Sequence, residues 1–260
     1  MKTAVIAITE EGRRVAERFL AVEGFHLYLP EKIAPRKDGV TGYSTSTAEL
    51  VKRIWQNHRG FVFIMPAGAV VRLIRGLIRD KHTDPAVVVM DEMARYSISL
   101  LSGHEGGANS LAARASLICG AEPVITTGRE AKKRLIVGMG CRRGVAVESL
   151  EEALREALSK VDKTIEKVRL IATIDAKRDE PAIHRLSERL DIPVVFIPKT
   201  LIASVEEGFE RSEVAKKNMG VWSVAEPCAV LGGKRCTLIL PKIKWKGLVT
   251  VAIAEESSMW

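Results

Sequence analysis

The chain has 260 residues, 47% of them hydrophobic and only 5% aromatic, and its 40 lysines and arginines outnumber 32 aspartates and glutamates for a formal net charge of +8. Such a length predicts two domains with a core each, and the apolar content excludes a disordered chain. The charge asks for an anionic partner, yet the scarcity of aromatics, the spread of basic among acidic residues and the lack of any RNA- or DNA-binding motif argue against nucleic acid and leave a small polyanion.

The longest mainly apolar runs, residues 86–90 and 248–254, are too short to cross a bilayer, and the apolar residues 4–8 are soon followed by Glu10 and Glu11, unlike a signal peptide. No membrane partner is expected, and the cytoplasm is the expected compartment. Cys119, Cys141, Cys228 and Cys236 are scattered without a C-x-x-C pair, so neither a zinc site nor a redox dithiol is signalled, and no bound metal is expected.

Residues 3–8 read as a buried strand and 11–22 as an amphipathic helix with Val15, Phe19 and Val22 on one face. A strand over 25–29 is followed by a loop over 30–42 that holds two prolines and two glycines. A helix over 47–57 stacks Leu50 on Ile54, and 61–64 is a short buried strand. A helix over 69–78 is expected to turn Val70, Val71, Ile74, Leu77 and Ile78 inward, with Arg72, Arg75 and Arg79 elsewhere. A polar loop at 81–85, a valine-rich strand at 86–90, a helix over 105–118 and a strand at 122–125 complete the first domain. The polar, basic residues 128–134 read as a linker.

The second domain opens with a strand over 135–139, a turn at 140–144 and a helix over 147–161 with Leu150, Leu154, Leu158 and Val161 inward. Strands at 168–172 and 194–197 flank a helix over 181–190, where Pro181 suits the first turn. Residues 221–231 are helical near their end, and 237–240 and 248–253 are late strands. The expected fold class is α/β: two domains, residues 1–127 and 135–260, each a mostly parallel sheet flanked by helices.

Chemistry concentrates in residues 91–109, read as a turn from a strand into a helix at the carboxyl end of a parallel sheet. In Ser102-Gly103-His104-Glu105-Gly106-Gly107 the glycines free backbone N–H groups to form an anion nest, helped by the helix that follows. His104 can serve there as a base or hydrogen-bond donor, or bind a metal carried by the ligand; the glycines read equally well as close-packing residues and His104 as a helix cap. Asp91 and Glu92 follow the strand directly, with Arg95 as their counter-ion. His82 and Asp84 precede the same strand, so simple parallel topology puts them at the opposite end from His104.

In Gly138-Met139-Gly140-Cys141-Arg142-Arg143-Gly144 the dinucleotide fingerprint is incomplete and no P-loop lysine follows, so the paired arginines make it an anion site of another kind. Cys141 reads as structural, since no histidine is near it in sequence. The polar run from Thr173 and Asp175 to Pro181 would share an end of the sheet with Arg142 if that sheet is parallel, its carboxylates either holding the arginines or binding nothing.

These stretches resemble the CbiG-type cobalt-precorrin-5A hydrolases of anaerobic cobalamin biosynthesis. The resemblance rests on the runs from Lys81 to Val89, Ser99 to His104 with Gly106-Gly107-Ala108-Asn109, and Pro123 to Thr127. In the second half it rests on Gly138 to Gly144, Ala172-Thr173-Ile174-Asp175 with Lys177 and Asp179-Glu180-Pro181, Ser223-Val224-Ala225-Glu226, and Leu240-Pro241-Lys242. The chain departs from the family twice. The middle domain common in the family has no counterpart between Thr127 and Leu135, and Glu105 stands where an apolar residue is expected, so it inherits no role.

The resemblance implies opening of the lactone of a cobalt corrinoid with release of acetaldehyde, giving cobalt-precorrin-5B. The cobalt comes with the substrate, so no cofactor of the protein's own is expected. Residue chemistry then suggests His104, Asp91 and Glu92 for catalysis, and Ser102, Gly103, Gly106, Gly107, Asn109, Arg95, Arg142, Arg143 and Asp175 for binding the substrate. A flat macrocycle suits a cleft between domains, with Arg142 and Arg143 on the wall facing His104. In an alternative role His104 is an axial ligand to the substrate cobalt. The rival function is a non-catalytic corrinoid carrier or scaffold of the same pathway, and a weaker third is nucleotide or nucleic-acid binding. Transient contacts with other cobalamin-pathway enzymes and a homodimer are both compatible with this reading.

Overall fold

Two units, Met1–Thr127 and Gly128–Trp260, make up the chain. The computed structural model describes residues 2–257; residues 1 and 258–260, the outermost of the two expected domains, lie outside the described residues.

In unit 1 the elements run β1 (Thr3–Ala7), α1 (Glu10–Ala16), β2 (Phe25–Pro30), β3 (Val40–Tyr43), α2 (Thr47–Ile54), β4 (Gly60–Ile64), α3 (Ala67–Ile74), β5 (Ala86–Met90), β6 (Tyr96–Leu101), α4 (Ala108–Cys119) and β7 (Glu122–Val124). The seven strands form one sheet in the order β3-β2-β1-β4-β5-β6-β7. All neighbours are parallel except β5 and β6. Helices cover both faces, which is why β4 and β5 are buried along their whole length and read as unbroken apolar runs. Alternate residues feed alternate faces: Val5, Val62 and Val88 join one core, and Ile6, Phe61, Phe63 and Val87 the other. Each such side chain contributes about 1.5–3 kcal/mol on burial.

Local chemistry sets several boundaries. Thr9 caps α1 by accepting the Gly12 N–H, and Ser46 with Glu49 forms a reciprocal capping box on α2. The expected helix over 11–22 is a shorter α1 followed by a tight turn of 3-10 helix, Glu17–Ala21. The expected loop over 30–42 contains most of the edge strand β3. The helix expected over 69–78 begins and ends earlier, and Val71 and Ile78 lie 49% and 42% exposed rather than facing the core. The helix expected from Glu105 begins at Ala108.

Unit 2 holds β8 (Leu135–Cys141), α5 (Val147–Lys160), β9 (Val168–Ile174), α6 (Pro181–Leu190), β10 (Val194–Ile197), α7 (Lys199–Ala203), α8 (Glu213–Met219), α9 (Ala225–Leu231), β11 (Cys236–Trp245) and β12 (Val249–Glu256). Its sheet order is β10-β9-β8-β12-β11. β8, β9 and β10 are parallel, whereas β12 is antiparallel to both neighbours. Gly138 and Gly140 lie inside β8, not in a turn after it. A Cβ on Gly138 would fall 1.8 Å from the Ala225 carbonyl oxygen, so that glycine admits α9 against the sheet. Helices α7 and α8 had no counterpart among the expected elements. Both units are thus α/β, with helices flanking a mixed sheet whose pairings are largely parallel in unit 1 and half parallel in unit 2.

Candidate functional site

The stretch 91–109 contains a strand that was not expected, and this divides its side chains between two ends of the first sheet. The Asp91 carboxylate accepts the backbone N–H groups of Arg95 at 2.7 Å and Tyr96 at 3.1 Å, and the Arg95 Nε at 2.7 Å, closing a hairpin between β5 and β6. Such a short link can join only antiparallel strands. Asp91, Glu92 and Arg95 therefore remain at the carboxyl ends of β1, β4 and β5. Residues 102–107 follow β6 back to the other end, where β5 begins. The expectation of a single turn at the carboxyl end of the parallel strands is corrected by this reversal. So is the separation of His82 from the glycine turn: His82 Nδ1 and Lys81 Nζ lie 3.0 and 3.3 Å from Glu105 Oε2. Asp84 is buried and shapes its loop by accepting the N–H groups of Arg79 and Asp80.

At the glycine turn, Ser102 adopts φ +59° and Gly107 φ +84°, left-handed values that fold the chain sharply into α4. The Ala108 and Asn109 N–H groups donate to the carbonyls of Ser102 and Gly103, so the Gly106 and Gly107 N–H groups are the ones ahead of the helix ladder. A Cβ on Gly106 would lie 2.3 Å from Ser102 Cβ, and one on Gly103 2.7 Å from Thr127 Cγ2. Close packing accounts for both glycines. Asn109 accepts from Ser99 Oγ at 2.8 Å and donates to Thr127 Oγ1 at 3.1 Å, tying β6 to the end of β7. The Ser102 hydroxyl is buried without a hydrogen-bond partner among the described residues, and His104 is exposed beside it in sequence. A strained residue with an unused buried donor is a feature that functional turns retain.

At the other end, Glu92 accepts the Thr9 hydroxyl at 2.6 Å. The sheet order reverses between β1 and β4, and Thr9 and the start of α3 flank that switch point. Burial would raise the Asp91 carboxyl, but the Arg95 side chain and the Tyr96 and Arg95 N–H groups outweigh it and hold the group below its ordinary range.

Unit 2 contains a cavity of about 660 Å³ at the carboxyl ends of β8 and β9. Because those strands are parallel, the turns that begin at Arg142 and Asp175 share one end of the sheet. Arg142 and Arg143 line the cavity and are exposed, with no ion pair among the described residues. The neighbouring carboxylates do not hold them: Glu180 instead accepts the Gly144 N–H at 3.2 Å through both oxygens, and Asp175 starts a half-buried turn. Burial pushes the Cys141 thiol up to about 11, against the nearby Lys177 cation, so it stays protonated and suits a structural role.

Sequence reasoning gave the cavity's other cations no binding role, although Lys177 and Lys242 stand among the residues that carry the resemblance. Lys177 Nζ lies 3.8 Å from Glu180, and Lys242 and Lys244 come from β11. Lys242 Nζ donates to the Glu210 carbonyl at 3.1 Å, and its backbone N–H to Glu226 at 3.2 Å. The period of two in a strand puts Lys242 and Lys244 on one side, the one signal that could have found them. Among the described residues no cluster of three or more metal-binding side chains occurs, and no helix is long and apolar enough to cross a membrane.

Comparison with known proteins follows the division into units. The family model for the N-terminal part of cobalamin synthesis G matches residues 49–130, and that for its C-terminus residues 135–254. A cobalt-precorrin-5A hydrolase of Priestia megaterium is 24% identical over 353 aligned positions, covering 96% of this chain and 94% of the relative. A probable cobalt-precorrin-5A hydrolase of Methanocaldococcus jannaschii is 25% identical over 338 positions, covering 99% of this chain and all of the relative. A cobalt-precorrin-5A hydrolase of Salmonella typhimurium is 36% identical over 127 residues, 49% of this chain and 36% of that protein. The first two alignments are longer than the 260 residues available here, so those relatives carry residues with no counterpart in this chain. With both halves matched in order and only residues 131–134 between them, the chain belongs to the CbiG family of cobalamin synthesis proteins.

Proposed function

We propose that the chain is a cobalt-precorrin-5A hydrolase, opening the substrate lactone with release of acetaldehyde. The observation that carries this reading is correspondence along nearly the whole chain to relatives of that name. The cationic cavity of unit 2 supports it, because the substrate's many acetate and propionate arms need positive partners and its ring needs apolar walls. In this reading Arg142 and Arg143 meet carboxylates. His104 activates water, and the Gly106 and Gly107 N–H groups together with the Ser102 hydroxyl stand ready for a developing oxyanion or a carboxylate. The cobalt belongs to the substrate.

The assay is acetaldehyde release on incubation with cobalt-precorrin-5A. Catalytic release is expected. A carrier role is the second reading, favoured by the residues that the longer relatives have and this chain lacks. It would be shown by tight binding of the substrate with no acetaldehyde formed.

A further inference from the structure

Lys177 is held in unit 2 under conditions a lysine rarely tolerates. It leaves the turn after β9, is 2% exposed, and its Nζ makes no hydrogen bond among the described residues. Its charged neighbour Glu180 stands at 3.8 Å, outside hydrogen-bonding distance, and both oxygens of that carboxylate already receive the Gly144 N–H at 3.2 Å. A buried ammonium with unused donors costs stability, and such groups persist where an acceptor arrives from elsewhere. The cavity that Lys177 lines supplies no carboxylate from the protein, since its lining includes Arg142, Arg143, Lys242 and Lys244 and no aspartate or glutamate. Of these, Lys242 is engaged by Glu210, while the two arginines have no ion pair among the described residues. Ile174, Val214, Met219 and Val249 add apolar surface to the wall, and Ser212, Asn218, Ser223 and Thr250 add neutral polar groups.

We propose that Lys177 forms the floor of a carboxylate subsite, receiving one side-chain carboxylate of an amphipathic polycarboxylate whose other arms meet Arg142 and Arg143 at the rim. The identity of that ligand as a corrinoid rests on the hydrolase reading; the chemistry of the subsite does not.

The probe is cobyrinic acid, a cobalt corrinoid with free peripheral carboxylates, titrated calorimetrically into the full chain beside its neutral methyl ester. The wild-type chain is expected to bind the acid and not the ester. Lys177→Met is expected to weaken acid binding about 10- to 100-fold, as loss of a charge-assisted contact implies, and to melt lower than wild type because the buried Glu180 carboxylate loses its ion-pair partner. Equal affinity for acid and ester, or an unchanged affinity in the Met variant, overturns the subsite. Should that variant not fold, Glu180→Gln decides: removing the competing carboxylate is expected to tighten acid binding, and unchanged or weaker binding overturns the proposal. Acetaldehyde release is scored separately. If wild type releases it and Lys177→Met keeps the same KM, the hydrolase reading stands and the subsite falls. If the acid binds through Lys177 but wild type releases nothing, the subsite stands and the hydrolase reading falls.

Discussion

The glycine turn of unit 1 and the cationic cavity of unit 2 treat their polar groups in opposite ways. In the turn, the first N–H groups of α4 are used by Ser102 and Gly103, the Asn109 amide by Ser99 and Thr127, and Glu105 by Lys81 and His82. In the cavity, Arg142 and Arg143 have no ion pair and Lys177 no hydrogen-bond acceptor among the described residues. Apart from the Ser102 hydroxyl, the stretch densest in motif-like residues is satisfied within the protein, and the turn read as a second anion site holds the unspent charge. Density of interesting residues measures how tightly a turn is built. Capacity to bind is measured by donors left over after folding.

Enzyme kinetics can break that comparison. His104→Ala is expected to have the largest effect, lowering kcat about a hundred- to ten-thousandfold at constant KM, as loss of a general base would. A rise in KM alone would move His104 to the binding side. The double variant Arg142→Ala with Arg143→Ala is expected to do the reverse, raising KM about 10- to 100-fold with kcat kept. Glu92→Gln, at the other end of the first sheet, is expected to leave both constants unchanged, and a fall in kcat there would relocate the chemistry to the switch-point edge.

Stability measurements sharpen the same contrast. Gly106→Ala is expected to cost about 1–3 kcal/mol in chemical denaturation, because its Cβ would meet Ser102. Gly107→Ala has open space around it but φ +84°, and is expected to cost about 1 kcal/mol. A larger loss at Gly107 than at Gly106 would mean that backbone conformation, not packing, holds the turn. The smallest effect is expected from the β5–β6 hairpin. Since the Asp91 carboxyl titrates below its ordinary value when folded, its stabilisation is present above about pH 4 and fades as the pH falls through the folded value. The difference in melting temperature between wild type and Asp91→Asn should therefore shrink on acidification, and a difference that grows would reverse the assignment.

Much of the fold was legible because period and burial coincide. The unbroken run Ala86–Met90 and the 3.6-residue spacing of Leu150, Leu154 and Leu158 announce a central strand and a flanking helix, and both are found. β6 escaped because serines take one of its faces: Ser97 is fully buried, its hydroxyl donating to the Ala112 carbonyl at 2.9 Å, and Ile98 and Leu100 on the other face are only partly buried against the core. The five residues between β5 and β6 held the missing information, since no parallel crossover is that short. Lys177 was legible as one of the residues that carry the family resemblance, but not as a buried cation. In a run of aspartate, lysine, arginine and glutamate nothing distinguishes the one side chain that the turn folds inward from those left in water, and only the path of the backbone after β9 makes the difference.

The clamp between Asn109 and Thr127 bears on how this architecture changes length. Thr127 is the last residue of unit 1, and the amide of the glycine turn fixes its hydroxyl at 3.1 Å. Whatever follows departs from a fixed anchor, whether seven residues before β8, as here, or a whole module. The entropy of closing such a connection rises only slowly with its length. The seam is therefore a place where a module can be gained or lost, or a reporter domain spliced in, while the turn beside it keeps its shape.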